Sequence, residues 1–364
     1  MSQATLVRRV PIQKIAKSLL RGLVLYGISI VVALLVNSLF IAASGGNIID
    51  AYSKIFSSSF GSWIGFGQTL NKWTPLLLGA LAVALGNRGG VYNIGVDGQI
   101  YIGAVFATGL GFLLADVPIP APLIVFLVLL AGFIGGGMYA GIAGYLRAVY
   151  NVNEIFTTVM MNFVAVFIVE YLATGPWNDP IAGEAITLPI ISSAHLPSLI
   201  PRTGSHLGIL FALLMVFGIW FLLNKTRLGF HIRAVGDNPV ASEVGGVNIR
   251  TSIFLTLALS GAIAGLAGAV EVIGVHGGRL ILGLTPNYGS LAILISAVGM
   301  ASPTIILGWS AFFAVFFVGS DSLQRSISFP AAGVLVFQAV MFLIIMWIRL
   351  LHERGSLAFL GEKS

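Results

Sequence analysis

Long apolar runs, separated by short connections rich in glycine, proline or charge, dominate the chain. Because about 20 mostly apolar residues are needed to cross the hydrocarbon core of a bilayer, these runs predict about ten transmembrane helices. The second and eighth runs are short, which indicates discontinuous or partly re-entrant helices. The predicted spans are 22–43, 73–87, 98–115, 121–147, 153–174, 206–224, 252–274, 288–301, 303–320 and 331–349. The pattern predicts an all-α integral membrane protein in which residues 1–364 form a single transmembrane domain.

Composition supports the membrane setting. The chain is 57% hydrophobic and 9% charged, with a mean hydropathy of +0.98, whereas soluble domains carry about 25% charged residues. The 45 glycines fit helices that approach one another closely in lipid. Because the chain has no cysteine, it has neither disulfides nor thiolate metal ligands.

The 19 Lys and Arg residues are distributed unevenly over the predicted connections. With a cytoplasmic N-terminus, only Lys54, Lys72, Arg202, Arg279 and Arg325 lie outside. The others face the cytoplasm, as the positive-inside rule requires, so both termini are predicted to be cytoplasmic. The net charge of +6 therefore follows topology, and nucleic acid is not expected as a partner.

Two longer connections face outward, at 44–72 and 175–205. In the first, Ile48, Tyr52, Ile55 and Phe56 recur at helical spacing. This spacing predicts either an amphipathic helix at the membrane interface or a docking surface for an external partner.

A polar, glycine-studded insert at 86–103 interrupts the apolar pattern and carries Asn93, Asp97 and Gln99. Irregular backbone at membrane depth persists only where protein buries it or water lines it. The insert therefore indicates a solute path or a surface that faces a partner. Asp97 either caps the helix predicted to begin at Gly98 or places its charge in the path.

Two further polar residues lie within predicted spans, where such residues are costly and usually functional. Asn162 lies about two turns inside span 153–174, either holding helices together or contacting solute. Glu271 lies near the end of its span and either pairs with Arg279 or belongs to the path.

Small residues recur every four positions in two spans, which places each set on one helix face. This spacing predicts close helix packing. The two sets are Gly132, Gly136, Ala140, Gly144 and Ala148, and Gly261, Gly265 and Ala269.

The largest inner connection, 224–251, mixes charges with apolar residues. A short helix is predicted near Asp237, which would be its N-cap, with Pro239 at an early helical position. The connection is either a solvated loop or a docking helix for a cytosolic partner.

Motifs for catalysis are absent from the sequence. It contains neither a GxxxxGK[ST] phosphate loop nor HExxH, and no metal or cofactor is expected. Ser260, with His276 nearby in sequence, resembles intramembrane serine proteases only faintly, and a packing serine is the alternative. A membrane enzyme and a transporter component remain as classes, with the transporter favoured.

Five blocks together carry a family resemblance. NIGVDGQ at 93–99 resembles the NIGxEGQ motif of nucleoside-type permease subunits in bacterial ATP-binding-cassette (ABC) importers, within the branched-chain amino acid/ribose permease superfamily. Asp97 stands where that family usually has Glu. The supporting blocks are NEIFTTVMMNF (153–163), GPWNDP (175–180), TRLGFHIRAVGDNPVASEVGGVNI (226–249) and LALSGAIAGLAGAVEV (257–272).

The resemblance implies where the working parts lie. It places the coupling helix, which docks on the ATPase, in the connection 224–251, with Arg233, Gly236, Asp237, Asn238, Pro239 and Glu243 as contacts. It also implies that spans 2–5 and 7–10 are inverted repeats around a central path, with breaks at 86–98 and 274–288. The candidate path residues are Asn93, Asp97, Gln99, Asn162 and Glu271.

The resemblance further implies a function. The chain is expected to be the permease subunit of an ATP-driven importer for nucleosides in a bacterial cell membrane. Its expected partners are a cytosolic ABC ATPase, which hydrolyses the ATP, an extracytoplasmic solute-binding protein and a second related permease. A permease for simple sugars such as pentoses, or for another small polar solute, is the nearest alternative. A stand-alone secondary transporter is a further one.

Overall fold

The computed structural model describes residues 12–43, 45–326 and 331–353. The described backbone is helical and its only β-type pairings are isolated bridges. The α-helices are α1 (Ile12–Ala43), α2 (Ile48–Phe60), α3 (Trp63–Arg88), α4 (Val96–Leu113), α5 (Ala121–Tyr150), α6 (Glu154–Thr174), α7 (Gly208–Lys225), α8 (Arg227–Asp237), α9 (Pro239–Val244), α10 (Ile249–Val270), α11 (Tyr288–Val298), α12 (Pro303–Ser326) and α13 (Ala331–Glu353).

Each predicted span coincides with a helix, but the expected short second span is wrong. That span is part of α3, a continuous helix of 26 residues. The helix begins at Trp63 because the Ser62 hydroxyl accepts a hydrogen bond from the Gly65 amide at 3.0 Å. The eighth span is short as predicted, since α11 has 11 residues. The ninth span was predicted to end at residue 320, but α12 continues to Ser326, and residues 327–330 lie outside the described ranges.

Among the described residues, seven helices are long and apolar enough to cross a membrane. They are α1, α4, α5, α6, α7, α10 with its extension, and α12. α3 is long enough, but Gln68, Asn71 and Lys72 make its first half polar. The ten-span count and the cytoplasmic termini therefore stay predictions. The terminal charges at Arg8, Arg9, Arg354 and Lys363 lie outside the described residues.

The chain divides into two compact units. The first comprises the described parts of 1–54 and 320–364, and the second comprises residues 55–319. In the first unit α1 packs against α13, and the Tyr52 hydroxyl donates to the Leu34 carbonyl at 2.6 Å. Burial raises the pKa of Tyr52. Tyr52 lies on α2, so the helix predicted within 44–72 is confirmed.

The second unit has a core made by α4, α5 and α10, which confirms the predicted packing of small residues. A Cβ on Gly136 of α5 would collide with the Gly261 carbonyl of α10, and a Cβ on Gly132 would lie 2.6 Å from Ala269 Cβ. Gly103 of α4 also meets the Gly265 backbone. The three backbones therefore approach one another more closely than larger side chains would allow.

The connection between α6 and α7 folds back on itself outside the helices. It contains a 3-10 turn at Ser192–Ala194. Isolated bridges join Asn178 to Thr187 and Ser198 to His206. This connection, residues 175–207, is called the outer loop below.

Candidate functional site

The chain leaves helical geometry between α3 and α4, inside the predicted polar insert. α3 ends at Arg88, Gly90 adopts a left-handed φ of 71°, and α4 starts at Val96. Gly95, the N-cap of α4, offers no side-chain cap. The segment 89–95 is called the first break. Its backbone groups must find partners within the protein, because hydrocarbon offers none.

One face of α6 provides partners for this backbone. Glu154 Oε1 accepts a hydrogen bond from the Tyr92 amide at 3.4 Å, and Thr158 Oγ1 accepts from the Ile94 amide at 3.3 Å. Glu154 is also paired with Arg147, whose Nε lies 3.2 Å from Glu154 Oε2. Thr158 was not predicted from the sequence, although its spacing of four residues from Glu154 places both side chains on one face of the helix.

Asn162 continues the same face, four residues beyond Thr158. Its Oδ1 accepts from the Gly98 amide at 2.8 Å, and its Nδ2 donates to the Ile94 carbonyl at 3.0 Å. The side chain therefore binds both sides of the entry into α4. Of the two predicted roles, this geometry is that of an asparagine that holds the helices together.

Asn93 and Gln99, the other predicted amides of the path, bind each other. Each side-chain nitrogen donates to the other's oxygen at 2.8 Å, and both side chains are 1% exposed. Asn93 Nδ2 also donates to Ser260 Oγ at 2.8 Å, while Ser260 donates to the Ala82 carbonyl at 2.6 Å. Ser260 thus links α10 to α3 and the first break, and His276 is not among its hydrogen-bond partners.

The expectation that Asp97 caps its own helix is wrong. α4 begins at Val96, so Asp97 lies in the first turn. Its Oδ1 accepts from the Gly289 amide at 2.8 Å, at the start of α11. Asn287, the N-cap of α11, makes no side-chain cap bond. Asp97 therefore caps α11, where a carboxylate complements the helix dipole.

A cation lies beside the same helix start and was not singled out from the sequence. Lys72 Nζ, on α3, lies 3.0 Å from the Tyr288 hydroxyl and 5.1 Å from the centre of the Phe317 ring. Its interaction with aromatic rings replaces part of its hydration. The beginning of α11 is thus flanked by Asp97 and Lys72.

α10 ends in a π-helix, Glu271–Val275, a feature frequent at functional sites. The predicted pair of Glu271 with Arg279 is wrong. Glu271, 1% exposed, lies with Oε2 3.3 Å from His276 Nε2. Arg279 instead donates to Asp179 Oδ2 at 2.6 Å. The Arg279 guanidinium holds the pKa of Asp179 below its ordinary value.

The segment 276–287 between the π-helix and α11 is called the second break, and it pairs with the outer loop. The Thr187 amide donates to the Leu280 carbonyl at 3.0 Å, and the Ile190 amide donates to the Gly278 carbonyl at 3.0 Å. From within the helices, the Tyr101 hydroxyl accepts from the Gly283 amide at 3.2 Å. Main-chain bonds to the outer loop therefore hold this break, while side-chain hydroxyls take up the Leu280 and Gly283 amides.

The connection 224–251 forms two helices, α8 and α9. The N-cap of α9 is Asn238, not Asp237 as predicted, because the Asn238 side chain accepts from the Ala241 amide at 3.0 Å. Pro239 follows at the first helical position and requires an extended residue before it. Asp237 is the last residue of α8, a helix that was not predicted.

α8 contacts the first break through Gly236. A Cβ on Gly236 would collide with the Arg88 carbonyl, and a Cβ on Gly90 would lie 3.0 Å from Gly236 Cα. The end of α8 and the turn after α3 therefore meet backbone to backbone. A displacement of α8 toward this contact would therefore bring its backbone into collision with the turn after α3.

The exposed side of α8 and α9 is partly apolar. Phe230, Val240 and Val244 are 56%, 71% and 88% exposed. The predicted contact residues Asp237, Asn238, Pro239 and Glu243 are exposed on the same two helices, while Arg233 is half-buried. α8–α9 thus combine apolar and charged groups on one accessible segment.

These features define a multi-pass α-helical membrane protein with two helix breaks, and Asp97 joins the helices α4 and α11 that follow them. The chain belongs to the family described as the branched-chain amino acid transport system / permease component, whose model matches residues 65–346. The resemblance to permease subunits is thereby confirmed.

Three named relatives cover most of the chain. The glucose ABC transporter permease protein TsgB13 of Haloferax volcanii is 33% identical, over 88% of this chain and 86% of that one. The guanosine ABC transporter permease protein NupP of Bacillus subtilis is 33% identical, over 75% and 78%. The nucleoside ABC transporter permease protein NupB of Lactococcus lactis is 29% identical, over 87% and 90%. No solved structure matches the chain.

Proposed function

We propose that this chain is the permease subunit of an ATP-driven ABC importer for nucleosides. Two of the three relatives named above are called guanosine or nucleoside permeases, which supports that substrate class. The glucose permease relative makes simple sugars the second candidate. ATP hydrolysis is assigned to a partner subunit, and a solute-binding protein delivers the solute from outside.

A second, related permease is proposed as a further partner. Two differently named guanosine permease proteins of Bacillus subtilis, NupP and NupQ, both match this chain. This pair of relatives supports the proposal that this chain forms a heterodimer with a second permease.

The proposed topology has ten crossings with cytoplasmic termini and one permease domain. The helices at all ten predicted positions support it. The inverted repeats are assigned to α3–α6 and α10–α13, each with one break. Asp97 joins the first turn of α4 to α11, which supports a path between the starts of these two helices.

We assign solute contacts to the surroundings of the breaks, with Asn93, Asp97, Gln99, Asn162 and Glu271 as the residues concerned. In the present conformation the amides of Asn93, Gln99 and Asn162 have protein partners. A nucleoside offers similar donors and acceptors, so it would exchange with these partners when the break opens. Such sparse contacts permit release.

The observation that carries the proposal is the contact of Gly236 with the Arg88–Gly90 backbone. We assign α8–α9 as the coupling helices that bind the ATPase, with Arg233, Gly236, Asp237, Asn238, Pro239 and Glu243 at or beside the contact. The ATPase acts by binding α8–α9 with different affinity in its different nucleotide states. Only such a difference in affinity can shift the equilibrium between two conformations of the permease. The Gly236 contact then passes the shift to the first break.

Gly236→Ala tests this coupling in the complete importer. The added Cβ collides with the Arg88 carbonyl, so uptake of labelled guanosine should fall about tenfold or more while the ATPase still hydrolyses ATP. Gly245→Ala is the matched control, because its Cβ would approach no atom closer than 3.3 Å. Equal uptake in both variants would remove the coupling role of α8.

Substrate and class are tested with the unmodified protein. Strong uptake of labelled pentoses without nucleoside uptake would replace the substrate assignment with simple sugars. Transport by the reconstituted chain without any ATPase would identify a secondary transporter instead.

A further inference from the structure

A cavity of about 360 Å³ opens where α3, α7, α8 and α12 come together. Its lining includes Arg88, Arg233, Trp220, Leu223, Ser302 and Thr304. This volume lies within the range of small-molecule sites in proteins. Two guanidinium groups, two hydroxyls and an apolar wall thus share one space.

The two arginines of the cavity donate hydrogen bonds to uncharged groups. Arg88 Nε donates to the Ala301 carbonyl at 3.2 Å, and Arg233 Nη1 donates to Asn224 Oδ1 at 3.2 Å. Among the described residues, neither guanidinium has a carboxylate within 4.0 Å. Because each guanidinium has five donors, several remain for a ligand. The cavity therefore favours an anion.

The start of α12 adds to this preference. Pro303, its first residue, also lines the cavity, between the hydroxyls of Ser302 and Thr304. Pro303 has no amide hydrogen, and the Ile305 and Ile306 amides donate to the Ser302 carbonyl. The helix start therefore contributes a partial positive charge rather than a set of free amides. Arginines combined with hydroxyls and a helix start suit phosphate oxygens, which guanidinium groups bind in a bidentate manner.

The surroundings of the cavity favour a lipid as the source of the phosphate. α7 is a candidate membrane span, and its residues Leu210, Leu214, Phe217 and Phe221 are 48–62% exposed along the helix. This apolar surface ends at the cavity, where Trp220 forms part of the wall. Lys225 Nζ lies 6.0 Å from the Trp220 ring centre and adds a third cation.

We infer that this cavity binds the phosphate group of an anionic phospholipid, with the acyl chains along α7. Basic pockets between membrane helices on the cytoplasmic side bind such headgroups. Arg88 and Arg233 are the headgroup ligands, and Trp220 with Leu223 contacts the glycerol region. The inference needs no ATPase, so it stands or falls separately from the proposed coupling role of α8.

The full-length chain in phosphatidylcholine nanodiscs, titrated with phosphatidylglycerol and analysed by native mass spectrometry, tests the inference. Each basic residue near an anionic lipid contributes about fivefold in affinity. The double variant Arg88→Gln/Arg233→Gln should therefore bind phosphatidylglycerol about thirtyfold more weakly. Arg88→Lys/Arg233→Lys keeps the charge and should retain most of the binding, which also shows that the cavity tolerates substitution.

The matched control is Arg227→Gln/Arg250→Gln, which removes two exposed cations that do not line the cavity. Equal loss in both double variants would show a general surface charge effect and overturn the site. Binding of inorganic phosphate alone, as tightly as phosphatidylglycerol, would replace the lipid with a free anion. If Arg88→Gln/Arg233→Gln binds lipid like wild type but associates more weakly with the ATPase, an acidic group of the ATPase fills the cavity instead.

Discussion

The free backbone groups of the two helix breaks find their hydrogen-bond partners in different ways. In the first break, side chains of α6 take up the free backbone groups, with Glu154, Thr158 and Asn162 spaced four residues apart. In the second break, main-chain groups of the outer loop take up most of them, as the Thr187 amide does for the Leu280 carbonyl, although the Leu280 amide donates to the Thr187 hydroxyl. One break is held by side-chain identity and the other mainly by backbone shape.

This difference determines which substitutions each break tolerates. A hydrogen bond from a side chain disappears when that side chain is replaced, and the backbone group that it served is left without a partner. A main-chain bond survives most substitutions. The first break should therefore respond strongly to single changes in α6, and the second break weakly to changes in the outer loop.

Asn162→Ala should have the largest effect on this comparison. It removes the partners of both the Gly98 amide and the Ile94 carbonyl, and each buried group left unpaired costs about 1–3 kcal/mol. We expect the free energy of unfolding in detergent to fall by roughly 3 kcal/mol, with faster hydrogen exchange at 94–98.

Thr157→Ala is the control for this prediction, since Thr157 is on the same helix and its hydroxyl donates to the Asn153 carbonyl of its own turn. A loss of similar size in the control would mean that α6 is generally fragile. The special role of the Asn162 side chain would then be lost.

Asp97→Ala should have an intermediate effect and connects the two breaks. It removes the cap of α11, and loss of an N-cap costs about 1 kcal/mol. Asp97→Asn keeps an oxygen that can accept from the Gly289 amide, so its stability should stay close to wild type. Thermal unfolding and hydrogen exchange at 288–291 measure both variants.

Guanosine uptake separates the two roles of Asp97. If Asp97→Asn transports normally, capping accounts for the residue. If it is stable but inactive, the charge itself takes part in the path, and the cap is not its main purpose.

The different construction of the breaks also explains what the sequence could predict. Polar residues in an apolar run located the first break, and the small residues at spacing four located the packing of α5 on α10. The partner of Asp97 was not predictable, because Gly289 is distant in sequence and contributes only a backbone amide. Likewise, the pairing of Arg279 with Asp179 rather than Glu271 depends on how the outer loop folds back. α8 was missed because its charged residues were interpreted as a connection rather than a helix.

Asp179→Asn should have the smallest effect, and it tests the claim that the second break is held mainly by backbone. The variant weakens the ion pair with Arg279 but leaves the pairing of Thr187 with Leu280. We expect a several-fold faster hydrogen exchange at 278–283, no change at 94–98, and a small decrease in melting temperature. Asp116→Asn, an exposed acid outside this cluster, is the matched control.

The effect of Asp179→Asn on the melting temperature should depend on pH in a defined direction. The pKa of Asp179 is lower in the folded protein than its ordinary value of 3.8, because Arg279 stabilises the carboxylate. Its stabilising contribution is therefore complete above about pH 5 and disappears as the pH falls through the lowered pKa. The melting temperatures of wild type and Asp179→Asn should differ by a constant amount between about pH 5 and 8 and converge in stronger acid. A large difference in melting temperature, with fast hydrogen exchange throughout the second break, would show that the ion pair holds this segment. The two breaks would then both depend on side chains.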